Sequence, residues 1–335
     1  MTVFSTVVKV ALGVAALSAG YGIVGLGAVA VLVNVFTALV FAYLVVSRLL
    51  KPHLEFDGRF SLSMFSAAWP LMLNNLLANA FFRADVLILK ASRDSSEVGY
   101  YGTAYKFIDG LNIIPSTFTL AIFPLMSRYA ASAREALVRA YTLALKALLI
   151  VSVPFAVGTT LLADELVLLV GGPDYLPHSA TALRILIWFL PFSYVNSVTQ
   201  YVLIAVERQR FLTVAFVVGA GFNVVANLIL IPRIGYSGAA LTTILSELVL
   251  MVPFGYAVRR ELGAFPVLSL MWRPAAAAAV MGGIMLLLHG LNPLLLVPLA
   301  MAAYFGMLLP LRAFTAEEWE LVRGMLRRKS RQSAL

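Results

Sequence analysis

Residues 23–47, IVGLGAVAVLVNVFTALVFAYLVVS, carry no charged side chain and end against Arg48 and Lys51. About 20 apolar residues in a helix cross a hydrocarbon core of about 30 Å. Inside that core no water satisfies the backbone, and a helix pairs its own N–H and C=O groups. The stretch therefore reads as a transmembrane helix. Working outward, similar spans are expected near 2–19, 62–90, 98–127, 137–162, 179–205, 211–231, 236–257, 274–290 and 293–312. The composition agrees: 61% hydrophobic and 12% charged, with a mean hydropathy of +0.92. A soluble domain of this size could not bury so much apolar surface. The fold class expected is an all-α polytopic membrane protein of about ten transmembrane helices.

Positive charge falls in every second gap. Arg48, Lys51 and Arg59 follow span two; Arg128, Arg134 and Arg139 follow span four; Arg208 and Arg210 follow span six; Arg259 and Arg260 follow span eight. The tail adds Arg312, Arg323, Arg327, Arg328, Lys329 and Arg331, while the opposite connections hold Lys90, Arg93 and Arg233 and few others. Lysine and arginine accumulate on the cytoplasmic side, which predicts two cytoplasmic termini. One miscounted helix would invert every later loop. The net charge of +9 is thus a topology and headgroup signal, not one for nucleic acid. The tail near 315–331 reads as an amphipathic surface helix or a solvated basic segment.

Soluble-type enzyme chemistry finds no seat. There is no cysteine, and His53, His178 and His289 lack metal-ligand spacing. No glycine-rich phosphate loop or nucleophile elbow is present, so no catalytic residue and no metal site are expected. The polar breaks near 48–61 and 258–273 divide the chain into 1–50 (two helices), 60–260 (a six-helix bundle), 273–312 (two more helices) and 313–335 (a basic tail).

The informative residues are the polar ones at membrane depth, where ionisable groups are costly and mark function. In span three, Asn75, Asn79 and Arg83 share one stripe, and Asp85 points elsewhere, so Arg83 and Asp85 need separate partners. In span four, Tyr101, Tyr105, Asp109, Asn112, Ser116 and Thr119 form one continuous polar face, with Lys106 beside it. Span six carries Ser193, Asn196 and Gln200, with Arg184 near its outer end. Span seven carries Asn223 and Asn227, and span eight Thr243 and Glu247. Pro115, Pro154 and Pro191 interrupt spans four to six. Such faces either bond helices to one another or line an internal cavity.

The order of the short motifs is more specific. Trp69-Pro70-Leu71 opens span three and Arg83-Ala84-Asp85-Val86-Leu87-Ile88-Leu89 closes it. Val98-Gly99-Tyr100-Tyr101, Ala104-Tyr105-Lys106, Ile114-Pro115 and Ile122-Phe123-Pro124-Leu125 follow. Then come Gly172-Pro173-Asp174-Tyr175, Glu207-Arg208-Gln209-Arg210, and Leu230-Ile231-Pro232-Arg233-Ile234-Gly235-Tyr236-Ser237-Gly238-Ala239-Ala240. Over residues 20–260 this resembles the second half of the lipid-linked oligosaccharide flippases. These form the polysaccharide-export branch of the multidrug/oligosaccharidyl-lipid/polysaccharide superfamily.

The resemblance implies two six-helix bundles, with spans three to eight here as the second and spans nine and ten as an extra pair. Spans one and two then match the last two helices of a first bundle, about four of whose helices have no counterpart here. The chain is expected to be a fragment or to assemble with a partner. The implied activity is translocation of a polyprenyl-pyrophosphate-linked oligosaccharide across a prokaryotic cytoplasmic membrane by alternating access. Arg83, Lys106 and Arg184 are the candidate pyrophosphate ligands. Asn75, Asn79, Asp85, Tyr101, Tyr105, Asp109, Asn112, Asn196, Gln200, Asn223 and Asn227 are the candidate cavity-lining residues. No cofactor is expected beyond a coupling proton or sodium ion, for which Asp85 or Asp109 is the seat. The implied partners are membrane lipid, a lipid-linked glycan and other polysaccharide-assembly proteins. A cation-coupled multidrug exporter of the same superfamily remains the alternative, as does a transport-incompetent fragment. A polysaccharide polymerase or ligase is disfavoured, because the largest external segment, 163–178, is short and has no lysine or arginine.

Overall fold

The computed structural model describes residues 2–48, 57–263 and 266–314. The basic tail from 315 onward lies outside the described residues, as do the side chains of Asn74, Asn75 and Asn79 within their helix. Among the described residues the chain is helical, with no strand. Six helices among these residues are long and apolar enough to cross a membrane: 22–47, 95–132, 134–161, 178–205, 209–262 and 267–287. The last two expected spans appear as α11 (Val267–Leu287) and the shorter α12 (Pro293–Leu308). The ten-span count is approximate, because the helices at 5–18 and 293–308 are shorter than the other six; the 54-residue α10 (Gln209–Leu262) holds two of the expected spans.

The chain forms two compact units, dividing between Ala67 and Ala68. In the first, α1 (Thr2–Ser18) and α2 (Gly22–Arg48) make a hairpin. Its turn passes through Gly20 at φ 83, a left-handed backbone that glycine adopts without strain. Lys9 of α1 donates from Nζ to Asn34 Oδ1 of α2 at 3.1 Å, so the one lysine of the apolar run has a polar partner.

Helix α3 (Gly58–Ser92) runs across the division, and in the second unit it gives way to α4 (Ser95–Leu111), α5 (Ile113–Ser132), α6 (Arg134–Leu161) and the short α7 (Ala163–Val170). Then follow α8 (His178–Leu186), a 3-10 turn at Ile187–Phe189 and α9 (Leu190–Ala205). Helix α9 packs against α5, α6 and α10. Its core-facing sides are apolar, as a central helix requires: Leu190, Tyr194, Val195, Val198, Val202 and Leu203 are buried. Helices α11 and α12 add a second cluster against α6, built on Ile150, Val153, Ala277, Ala278, Met281 and Tyr304. The alanine run 275–279 lets α11 approach closely, as small residues do between membrane helices.

The prolines explain two inter-helix bonds. Proline has no N–H, so it leaves the carbonyl four residues earlier without its helical donor. Pro115 frees the carbonyl of Leu111, which accepts from Tyr194 Oη of α9 at 2.6 Å. Pro154 likewise frees Ile150, whose carbonyl accepts from Tyr304 Oη of α12 at 2.8 Å. Each gap is filled by a tyrosine from another helix. Removing one such hydroxyl in Tyr304→Phe should lower stability by about 1 kcal/mol. The check is the melting temperature of the purified protein in detergent, with Tyr43→Phe, at an exposed position, as the control.

Helix α10 is two helices joined by a reversal. Ile234 (φ −129, ψ 17) and Gly235 (φ 57, ψ −138) leave helical geometry. Asn223 donates from Nδ2 to Ser246 Oγ at 3.0 Å, and a Cβ at Gly238 would sit 2.7 Å from the Leu230 carbonyl oxygen. Both pairs are centred near residue 234, which defines an antiparallel hairpin. These are spans seven and eight of the sequence. The reversal frees carbonyls on one side and an amide on the other. Arg93 donates from Nε to Ile231 O at 3.2 Å and from Nη2 to Pro232 O at 2.8 Å, while Glu97 Oε2 accepts from Tyr236 N at 3.0 Å. Arg93 and Glu97 themselves pair at 3.6 Å.

The open end of this hairpin is tied differently. Arg134 Nη2 donates to Glu261 O at 2.6 Å, and Arg208 Nε donates to Glu261 Oε1 at 2.8 Å. The cation-rich connections after spans four, six and eight therefore meet at one end of the bundle.

Candidate functional site

A cavity of about 390 Å³ opens within the second unit. Its walls come from four places: Arg83 on α3; Tyr105, Asp109, Asn112 and Ser116 along α4 and α5; Ser193, Asn196, Ser197 and Gln200 on α9; and Phe216, Glu247 and Phe254 on α10. On α9 the polar residues recur at helical spacing, so one face is polar and the rest of the helix is core. The α4–α5 break at Asn112 keeps Tyr105, Asp109, Asn112 and Ser116 facing the same space.

The rim is charged. Arg83 Nη2 lies 3.6 Å from Asp109 Oδ2, and the two side chains are 57% and 52% exposed. The Arg83 guanidinium also sits 5.6 Å from the centre of the Tyr105 ring. A cation over an aromatic face, held by a half-exposed carboxylate, keeps its orientation while leaving donors open to a ligand. The floor is different. Glu247 is 1% exposed and Asn196 4%. Asn196 Nδ2 donates to Glu247 Oε2 at 2.6 Å and to the Glu247 carbonyl at 2.9 Å.

Asp85 has no part in this cavity. It is buried, with Oδ2 accepting from Tyr101 Oη at 2.5 Å and Oδ1 from Val86 N at 2.7 Å. Thr243 lies 3.3 Å from the same tyrosine hydroxyl. Arg83 and Asp85 thus face different partners, as their helical angle requires. Asn223 and Asn227 are also buried away from the cavity, with Asn227 Nδ2 donating to Asn223 Oδ1 at 2.9 Å inside the α10 hairpin.

Of the sequence-selected residues, the structure brings Arg83, Tyr105, Asp109, Asn112, Asn196 and Gln200 together. Tyr101, Asp85 and Asn223 form buried inter-helix bonds instead, and Asn227 bonds Asn223 one turn away on its own helix. Lys106 is exposed on α4 and lines no part of the cavity. Arg184 is committed elsewhere, in an ion pair with Asp164 of α7. Asn75 and Asn79 lie among the side chains that are not described. Among the described residues, no three of the His, Cys, Asp and Glu side chains gather as metal ligands.

Two functional features escape a reading of single spans. Glu247 was visible only as a polar residue near Thr243; its bond to Asn196, 51 residues away, is a tertiary fact. Arg93 read as a loop cation, although its spacing of four from Glu97 was the available sign of a pair.

Known proteins resemble the chain in sequence and in fold. A family described as polysaccharide biosynthesis protein matches residues 1–180, and the lipid II flippase MurJ family matches residues 100–306. The solved lipid II flippase MurJ in its inward closed conformation superposes with a TM-score of 0.76 at 15% identity, over 90% of this chain and 64% of that one. A multidrug/oligosaccharidyl-lipid/polysaccharide superfamily transporter from Pyrococcus furiosus superposes with a TM-score of 0.50 at 18% identity, over 66% of this chain and 52% of that one. An uncharacterized membrane protein of Methanocaldococcus jannaschii is 30% identical over 104 residues, covering 31% of this chain and 20% of that protein. The chain therefore spans less than two thirds of the length of each of these relatives. It is a multi-pass membrane protein of the MurJ-like fold, and it belongs to the polysaccharide-biosynthesis and lipid II flippase family of that superfamily.

Proposed function

We propose that this chain serves in the translocation of a polyprenyl-diphosphate-linked oligosaccharide across a prokaryotic cytoplasmic membrane, by alternating access. The observation that carries the reading is the cavity itself. It is a membrane-embedded space with an arginine at its rim and hydroxyl, amide and carboxylate groups on its walls. A diphosphate offers several anionic oxygens, and a guanidinium meets them with charge-assisted bonds in a fixed fork. The polyprenyl tail stays in lipid, where the outward-facing helices are apolar.

In this reading Arg83 is the diphosphate ligand, and Lys106 and Arg184 have no share in it. Both termini are cytoplasmic, on the side where Arg134 and Arg208 gather around Glu261. A coupling proton or sodium ion is assigned to Asp85, since Asp109 is engaged by Arg83.

The superfamily's drug exporters are the rival, and charge discriminates. The test is translocation of a fluorescent polyprenyl-diphosphate disaccharide in proteoliposomes, beside efflux of a cationic dye. The expected result is protein-dependent movement of the lipid-linked sugar, abolished by Arg83→Ala, with no dye efflux. Dye efflux that survives Arg83→Ala, with no sugar movement, would overturn it. Arg184→Ala should leave the affinity for farnesyl diphosphate within about twofold, because a rim-exposed pair far from the ligand contributes little; titration by tryptophan fluorescence checks this.

A further inference from the structure

The floor of the cavity holds two acceptors with no donor. Glu247 Oε1 and Asn196 Oδ1 are both buried and both lack a hydrogen-bond partner. The orientation of the Asn196 amide is fixed by its surroundings. Its two near neighbours, Glu247 Oε2 and the Glu247 carbonyl, are both acceptors, so the NH₂ must face them and the oxygen must face away. Ser193, one turn before Ser197 on α9, flanks the same carboxylate. Buried polar atoms are normally paired, and leaving one unpaired is costly. Two unpaired acceptors on residues that line one cavity point to a ligand that brings donors.

We propose that Glu247 and Asn196 form a subsite that accepts hydrogen bonds from the hydroxyl and N–H groups of a sugar, separate from the diphosphate wall at Arg83. Three observations favour this class of ligand. Sugars present several donors on a ring whose faces are apolar, and the aromatic rings of Tyr105, Tyr201, Phe216 and Phe254 line the same space. Two free oxygens fall short of the roughly six that a hard cation gathers. The cation is also separate from these acceptors: Arg83 stands at the rim, paired with Asp109, and Glu247 lies at the floor. A lipid-linked sugar enters with its diphosphate at Arg83 and its first ring at Glu247. The subsite rests on the proposed substrate class and ties its recognition to particular atoms.

Two probes separate the subsite from that reading: farnesyl diphosphate, and farnesyl diphosphate carrying one N-acetylglucosamine. Binding to the full chain in lipid nanodiscs is titrated for wild type, Glu247→Gln and Asn196→Ala. Glu247→Gln keeps its bond with Asn196 by turning its oxygen toward the amide, which places an N–H₂ donor where the free acceptor stood. Wild type should bind the sugar-bearing probe at least tenfold more tightly than the bare diphosphate. Glu247→Gln and Asn196→Ala should each remove most of that increment while leaving farnesyl diphosphate binding within about twofold.

An increment near one in wild type, or one unchanged in both variants, overturns the subsite. An increment that follows sodium concentration at constant ionic strength also overturns it, since the oxygens would then hold a cation. Failure of bare farnesyl diphosphate to bind overturns the diphosphate reading instead, and the response of the sugar-bearing probe to Glu247→Gln still decides the subsite. Binding of neither probe overturns both. Circular-dichroism melting of each variant separates lost contacts from lost folding.

Discussion

Arg83→Ala should weaken binding of a polyprenyl diphosphate by at least tenfold, and lipid-linked sugar translocation should fall with it. The side chain is 57% exposed, so truncating it leaves no buried charge unpaired and should not unfold the bundle. What is lost is a charge-assisted bond to phosphate, worth about 1.5–3 kcal/mol, or one to two orders of magnitude in affinity. Arg83→Lys should recover only part, because an ammonium supplies charge without the planar fork. Asp109→Asn should move affinity the other way by a few fold, since Asp109 competes with the ligand for the same guanidinium at 3.6 Å. Titration of the three variants with farnesyl diphosphate at low and high salt reads all of these effects. Equal affinity for wild type and Arg83→Ala would remove Arg83 from the site.

The second large effect is structural. Gly235→Ala should cost at least 2 kcal/mol of stability, about the cost of holding a non-glycine residue in a rare backbone region. Gly235 sits at φ 57, ψ −138, which a side chain disfavours. Its Cβ would also collide with Glu97 Oε2, the atom that caps the second half of the α10 hairpin. The substitution therefore strains the turn and displaces its cap together. The double variant Gly235→Ala/Glu97→Ala relieves the clash but not the backbone, so it should melt no higher than the single one. An unchanged melting temperature in Gly235→Ala would contradict the hairpin geometry.

Much of this architecture was legible in the chain. The span through 23–47 and the alternation of arginines need only the thickness of a membrane and the positive-inside bias. The α10 hairpin was legible too: the expected spans 211–231 and 236–257 leave a gap at 232–235, and the reversal at Ile234 and Gly235 falls inside it. Partners were not legible. The polar stripe Tyr101, Tyr105, Asp109 and Asn112 reads as one face, yet Tyr101 turns to Asp85 while Tyr105 and Asp109 turn to the cavity. A single helix cannot say which neighbour each polar group meets. The same limit hid Tyr194 and Tyr304, whose hydroxyls complete helices broken by prolines 79 and 150 residues earlier in the sequence. Lys106, beside the polar stripe, and Arg184, near the outer end of its span, were candidate phosphate ligands by charge and resemblance, and packing leaves one at the surface and pairs the other with Asp164.

Selection of a diphosphate-linked lipid by the cavity is the property on which the proposed function turns. Native mass spectrometry of the full chain tests it most directly, with the protein released from nanodiscs containing equal amounts of polyprenyl-diphosphate disaccharide, polyprenyl monophosphate and phosphatidylglycerol. One retained diphosphate-linked lipid per chain is expected in wild type, with its loss in Arg83→Ala. Retention of phosphatidylglycerol to the same extent, or of the diphosphate lipid equally by wild type and Arg83→Ala, would contradict that selection.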